Sequence, residues 1–387
     1  MADVDGQGGP SPESWLAVRR TLSAHRRELG SAAARLYGGA SRVAGTELLA
    51  RPEWVPAAPV GLNGVPLGWQ PQPPPPAIDP AGPLTAHVRP CQPGRADRRQ
   101  YATYAEAVGG LDRPALYENR PCYRLLAARL AVRPGLTFGQ CRYFDGVSLG
   151  HAVAHELAAA SLDGCGPVAM AGLPLRAAAG DPCDLARRNA TVAVTTLTLR
   201  RETGGGASFI LHWRDPARVN HGGGLYQVMP AGMFQPVTGT PAGLRGDLSL
   251  WRCMAREFSE ELLGTAEDYP TSGGVLDYQD WPFYRALAAA RGAGTLGVWC
   301  LGIGVDALTL ATDILTVAVF DGDVFDALFS GLVAGNAEGR LVTAGGSAAI
   351  PFTEATVARF TGGAEPMQAA GAALLRLAWE HRRHLLG

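Results

Sequence analysis

The run Arg256-Glu257-Phe258-Ser259-Glu260-Glu261-Leu262-Leu263-Gly264 constrains what this chain can fold into more than any other stretch. Positions three and four apart are neighbours on a helix, so Glu257, Glu260 and Glu261 share one face. Trp251, Met254, Ala255, Phe258 and Leu262 cluster on the opposite side. A helix divided in this way docks its apolar stripe on a sheet and turns its acids toward a cleft. Three carboxylates on one face repel one another unless a cation lies between them, and a hard divalent ion with oxygen ligands suits such a set. An isolated acidic face is more often simply solvated, so the surroundings must decide. The spacing predicts one helix over 248–263, with Asp247 as its N-cap and Arg256 ion-paired to Glu260 one turn on.

The surroundings are strand-like. From Ala190 the pattern switches to alternation: Thr191 to Arg200 interleaves β-branched and apolar residues, and Glu202 to Gly206 supplies a turn. Ser208 to Trp213 reads as the partner strand, and Leu225 to Met229 as a third. Downstream, 297–303 and 308–320 are further strands, and Ile350 to Glu354 leads from a strand into a helix. Upstream, Ser11-Pro12-Glu13 starts an amphipathic helix that runs to about Leu36. Residues 117–130 are predicted as a helix, 137–144 as a strand and 151–160 as a helix. The proline-rich stretch 56–93, centred on Pro73 to Pro76, reads as an extended arm.

These signals divide the 387 residues into a disordered leader (1–10), an N-terminal accessory α/β domain (11–185) carrying the arm, a second α/β domain (186–362) and a C-terminal helix (363–387). The net charge of −1 gives no basic excess for nucleic acid. No apolar run is long enough for a membrane span. The seven cysteines form no C-x-x-C and no paired framework, which argues against a disulfide scaffold or a zinc cluster. A cytoplasmic protein is expected, with a homodimer left open. Every basic Lys-or-Arg position is arginine, a bias of high-GC genomes.

REFSEELLG resembles the second half of the Nudix box, G-x5-E-x7-R-E-U-x-E-E-x-G-U, in which U is aliphatic. Arg256, Glu257, Glu260 and Glu261 match position for position, and Phe258 takes the apolar place. Pro230-Ala231-Gly232 resembles the loop that opens the box. Three departures stand out. Gly232 lies ten residues further from Arg256 than the pattern has it, Leu248 stands at the first glutamate, and the closing glycine comes one place late, as Gly264. The chain is also similar to the Nudix-like part of actinobacterial proteins labelled transcriptional regulators, here without a recognisable DNA-binding helix pair. The resemblance implies a Nudix-like mixed sheet between helices. It also implies Mg2+- or Mn2+-dependent hydrolysis of a nucleoside diphosphate linked to another moiety, such as a dinucleotide or an ADP-ribose-like nucleotide-sugar. In that scheme Glu257 and Glu261 are the main metal ligands, and Glu260 is a further ligand or the base that deprotonates water. Arg256 orients it, Gly232 lets the backbone approach, Arg214 contacts phosphate, and Glu338 is a late acid. The alternative within the same fold is a nucleotide sensor without turnover.

Other motifs weigh less. Gly146-Val147-Ser148-Leu149-Gly150 matches G-x-S-x-G between an expected strand and helix, which would make Ser148 a serine-hydrolase nucleophile. His221-Gly222-Gly223-Gly224 matches an oxyanion motif, but it follows the serine where it should precede it. His151 and His155 lie one turn apart without H-E-x-x-H, and read as helix histidines at a surface or interface. The aromatics Trp281, Phe283 and Tyr284 read as core or lid packing.

Overall fold

The computed structural model describes residues 9–78, 91–94, 101–114, 117–162, 168–215, 223–266, 271–272, 275–333, 339–342 and 349–387. Most of the expected leader, residues 79–90 of the proline-rich arm, Cys165, His221, Gly222 and Glu338 lie outside these residues.

Along the chain the strands are β1 (Ser41–Arg42), β2 (Leu48–Ala50), β3 (Val60–Gly61), β4 (Leu67–Trp69), β5 (Pro121–Arg129) and β6 (Gly135–Arg142). Then come β7 (Val192–Arg201), β8 (Ala207–Phe209), β9 (Leu211–Arg214), β10 (Tyr226–Val228), β11 (Ala231–Met233), β12 (Thr271–Ser272) and β13 (Val275–Leu276). The last four are β14 (Leu296–Asp306), β15 (Thr312–Asp321), β16 (Gly339–Leu341) and β17 (Ile350–Pro351). The main sheet runs β1-β2-β14-β15-β7-β8-β17, with β3 paired to β14 and β11 paired to β7. It is mixed: β15 and β7 run parallel, Thr312 opposite Val192 through Asp321 opposite Arg201, and their other neighbours are antiparallel. Smaller sheets are β10-β9-β16, β4-β6-β5 and β12-β13. The fold class is α/β, as the sequence predicts.

β7 forms because its β-branched and leucine side chains suit a pleated surface buried on both faces. Val192, Val194, Leu197 and Leu199 are all within 1% of full burial. The helix Ala369–Glu380 packs on β7, β14 and β15, burying Ala373, Leu374, Leu377 and Ala378. A second helix, Leu250–Glu257, packs on β7 and β11. The segments 11–185 and 186–362 share this sheet, since Leu49 pairs with Val305 and Val60 with Cys300.

Several expectations are corrected. The first helix breaks at His25 into Pro12–Ala24 and Arg26–Leu36, while the Ser11 hydroxyl does cap its start, accepting from Ser14 N at 3.1 Å. The C-terminal helix is likewise two, Ala369–Glu380 and Arg382–Leu386. Residues 121–129, read as helix, are β5. Their Leu-Leu-Ala-Ala run favours a helix locally, but pairing with β6 along Cys122–Cys141 and Leu125–Phe138 overrides that preference. The described part of the arm is docked rather than extended in solvent. β4 runs parallel to β6, Gln70 N donates to Phe138 O at 2.7 Å, and the Arg124 guanidinium reaches Pro74 O at 2.8 Å.

Candidate active site

The helix Leu250–Glu257 is capped by Ser249, whose hydroxyl accepts from Arg252 N at 3.3 Å, and not by Asp247. Its apolar stripe is the expected one: Trp251, Met254, Ala255, Phe258 and Leu262 are all buried. Phe258 meets Phe320 edge-on at 5.6 Å, which seats the helix on β15. The single helix expected over 248–263 ends its α-turns at Glu257 and continues as a π-turn, Phe258–Leu262. A π-turn holds one more residue than an α-turn and often marks a functional site. Gly264 follows the element with φ +66°, a left-handed conformation that a β-carbon would strain.

Arg256 does not pair with Glu260. Its guanidinium turns inward, 3.3 Å from an Asp247 carboxylate oxygen, and donates to Gln235 O at 2.6 Å and to the Tyr278 hydroxyl. Asp247 is fully buried. It accepts from Val237 N at 2.8 Å and from the Tyr278 hydroxyl at 2.7 Å. Burial alone would lower the Arg256 pKa, but Tyr278, Cys253, Asp247 and Glu257 together raise it, so the cation stays charged. Asp247 therefore clamps the loop 235–237 and the helix through Arg256. The sequence hid this role because Asp247 stands just before a helix start, where a capping reading is the natural one.

The three glutamates gather about β11. The Glu257 carboxyl fills the space that a β-carbon at Gly232 would take. Glu261 is buried, and its carboxylate accepts from Ala231 N at 3.3 Å. Glu257 and Glu260 line a cleft of about 190 Å3 together with Gly232, Gln235, Tyr117, Glu118, Arg120 and Tyr143. The last four come from the N-terminal half and were missed, because nothing in the local sequence ties them to the acidic helix. Arg120 Nε donates to Glu118 at 2.8 Å, which holds the Glu118 carboxyl below its usual range.

On the other side of β11 lies a second cavity of about 200 Å3, sharing Tyr143 and Ala231 to Met233 with the first. Arg214, at the end of β9, lines this second cavity rather than the acidic cleft. Asp313 lines it too. Burial pushes its carboxyl up to about 6, against the hydrogen bond from Thr195 Oγ1 at 2.7 Å.

Ser148 is not on an elbow. It lies inside the helix Tyr143–Leu162 and is 3% exposed, so no strand-to-helix turn presents its hydroxyl. His151 and His155 are buried, not at a surface. Tyr104 OH lies 3.1 Å from His155 Nδ1, and Trp15 stacks on the same ring at 5.6 Å. Burial drives His155 down to about 3. Trp281 and Tyr284 stack beside Tyr278, so the aromatic run packs against the Asp247–Arg256 clamp.

Among the described residues no three or more His, Cys, Asp or Glu side chains form a preformed metal cage. The donor set suits Mg2+ nonetheless, since that ion is typically held by one or two carboxylates plus water and phosphate oxygens. Glu257 and Glu260 facing one cleft, with the Gly232 backbone bare beside them, supply that partial set. Among the described residues no helix is long and apolar enough to cross a membrane.

No protein-family model and no curated protein matches the chain. Among solved structures the chain is similar to a Nudix hydrolase from M. Smegmatis, RenU. The two are 15% identical, with 51% of this chain and 85% of that one covered and a TM-score of 0.23. It is also similar to a Nudix hydrolase from Alicyclobacillus acidocaldarius, at 15% identity, with 48% and 89% covered and a TM-score of 0.27.

Proposed function

We propose that this chain is a Nudix-type pyrophosphohydrolase that cleaves a nucleoside diphosphate linked to another moiety, a dinucleotide or a nucleotide-sugar. The observation that carries the reading is the placement of Glu257 and Glu260 in one cleft, against the bare backbone of Gly232. A divalent cation, Mg2+ or Mn2+, bound there neutralises phosphate charge and acidifies a coordinated water. Glu257 and Glu260 are the residues that hold it. Glu260 is also the acceptor for the proton of the attacking water. Glu261 is bonded to β11 and fixes the π-turn, a positioning role in place of a leading ligand role. Arg256 is a positioning residue too, since it acts through Asp247. Arg120 supplies a guanidinium whose fork suits a phosphate oxygen pair.

The burial of Glu261 favours a second reading, a sensor of the same fold that binds nucleotide without turnover, because it thins the set of cleft-facing acids. One experiment separates the two. Dinucleotides and nucleotide-sugars are incubated with Mg2+, and nucleoside monophosphate release is followed for wild type, Glu257→Gln and Glu260→Gln. The hydrolase reading expects metal-dependent release that falls at least ~100-fold in Glu260→Gln. Turnover that survives EDTA or both substitutions would overturn it. Metal-dependent binding without release would establish the sensor.

A further inference from the structure

The second cavity contains a buried cation that the protein leaves incompletely bonded. Arg188 is 6% exposed and lines the cavity. Its Nη2 donates to Pro182 O at 2.9 Å and to Thr312 Oγ1 at 3.1 Å, while its Nε, closed off from solvent, has no hydrogen-bond partner among the described residues. A buried N–H of a charged group left unmade costs more than a neutral one, so such groups normally meet an acceptor. Burial lowers the Arg188 pKa to about 10, the direction expected of a cation with too little negative charge around it. Arg214 lines the same cavity, as do Asn189, Gln227 and Gln368. Asp313 is the acid in the wall, and the Thr195 hydroxyl donates to it.

We infer that this cavity seats an anionic oxygen group, a phosphate monoester or a carboxylate, bound through Arg188 and Arg214. Guanidinium forks match both groups bidentately. The cavity and the acidic cleft share Tyr143 and Ala231 to Met233 in their walls, so the two lie next to each other across β11. Resting on the hydrolase reading, the substrate is then a diphosphate that carries an additional anion remote from the scissile bond.

The test uses the whole chain in EDTA, so that the acidic cleft holds no metal. Inorganic phosphate and, separately, acetate are titrated by calorimetry into wild type, Arg188→Gln, Ala193→Leu and Glu260→Gln. Ala193 lines the cavity, and leucine there fills it without touching either arginine's charge. Saturable binding of phosphate marks a phosphate seat, and saturable binding of acetate marks a carboxylate seat; either supports the inference. The dissociation constant is expected to rise at least tenfold in Arg188→Gln and Ala193→Leu and to stay unchanged in Glu260→Gln. Should Arg188→Gln fail to fold, Ala193→Leu decides. No saturable binding of either anion, or binding undiminished in Ala193→Leu, overturns the inference. Anion binding without turnover on any diphosphate would sink the hydrolase reading and leave this one standing; turnover without anion binding would do the reverse.

Discussion

The Glu257 carboxyl group occupies the space that a β-carbon on Gly232 would need, so these two residues cannot both keep their positions if 232 gains a side chain. The displaced atoms are the far end of a flexible side chain, so the backbone is not forced to move. Gly232→Ala is expected to cut turnover at least ~100-fold while shifting stability by less than about 1 kcal/mol. Kinetics and thermal melting on the same sample check this. A large loss of stability, or full activity, would count against the placement of Glu257.

Asp247 and Arg256 should behave in the opposite way. Removing one partner of a buried, hydrogen-bonded ion pair strands the other, at a cost of about 3–5 kcal/mol. Asp247→Ala and Arg256→Ala should each lose that much in urea unfolding, and the double variant should lose clearly less than the sum. Additive losses would show that the pair is not coupled.

Arg120 tests whether the N-terminal half reaches the chemistry. Its side chain is 42% exposed, so Arg120→Ala should leave stability within about 0.5 kcal/mol of wild type. Turnover should fall about tenfold or more, with Arg120→Lys recovering part of it. Unchanged kcat and KM would remove Arg120 from the site.

Asp313 and His155 give opposite pH dependences. The folded chain holds Asp313 protonated up to about pH 6 against an ordinary value of 3.8, so ionising it costs stability as pH rises through that window. Asp313→Asn should therefore be more stable than wild type above pH 7, on the order of 1–3 kcal/mol, with the advantage gone below pH 4. His155 is held near 3 against 6.5, so stability falls as pH drops from about 6.5, where the unfolded chain takes up a proton that the folded chain refuses. His155→Gln should flatten that acid limb. Urea midpoints measured from pH 4 to 8 decide both, and an Asp313→Asn advantage that persisted at pH 4 would refute the first.

Ser148 and Gly150 distinguish packing from catalysis. Ser148→Ala should retain full activity, since the hydroxyl is buried within a helix. A β-carbon at Gly150 would collide with the Thr309 carbonyl oxygen, which is backbone, so Gly150→Ala should destabilise by about 1–3 kcal/mol. Loss of activity in a stable Ser148→Ala would revive the serine reading.

The acidic helix, its apolar stripe and the strands around it were legible because each is a local pattern: alternation in β7, three-and-four spacing from Trp251 to Leu262. What could not be read depends on partners distant in sequence. Asp247 looks like a cap until the fold brings Tyr278 and Arg256 to it. β5 looks helical until β6 lies beside it. Arg120 and Arg188 carry no signal of their own, and only the tertiary structure brings them to the two cavities flanking β11. The π-turn over Phe258–Leu262 leaves no mark in the three-and-four spacing that predicts one continuous helix.

The sheet also sets a timetable for folding. β7 finds its parallel partner β15 only after the whole acidic helix and its loops have been made, and Leu49 waits about 250 residues for Val305. During synthesis the early strands therefore stand with unpaired edges while the centre of the sheet is still missing. Such long-range pairing makes folding slow and leaves the nascent chain open to edge-to-edge association until β14 emerges.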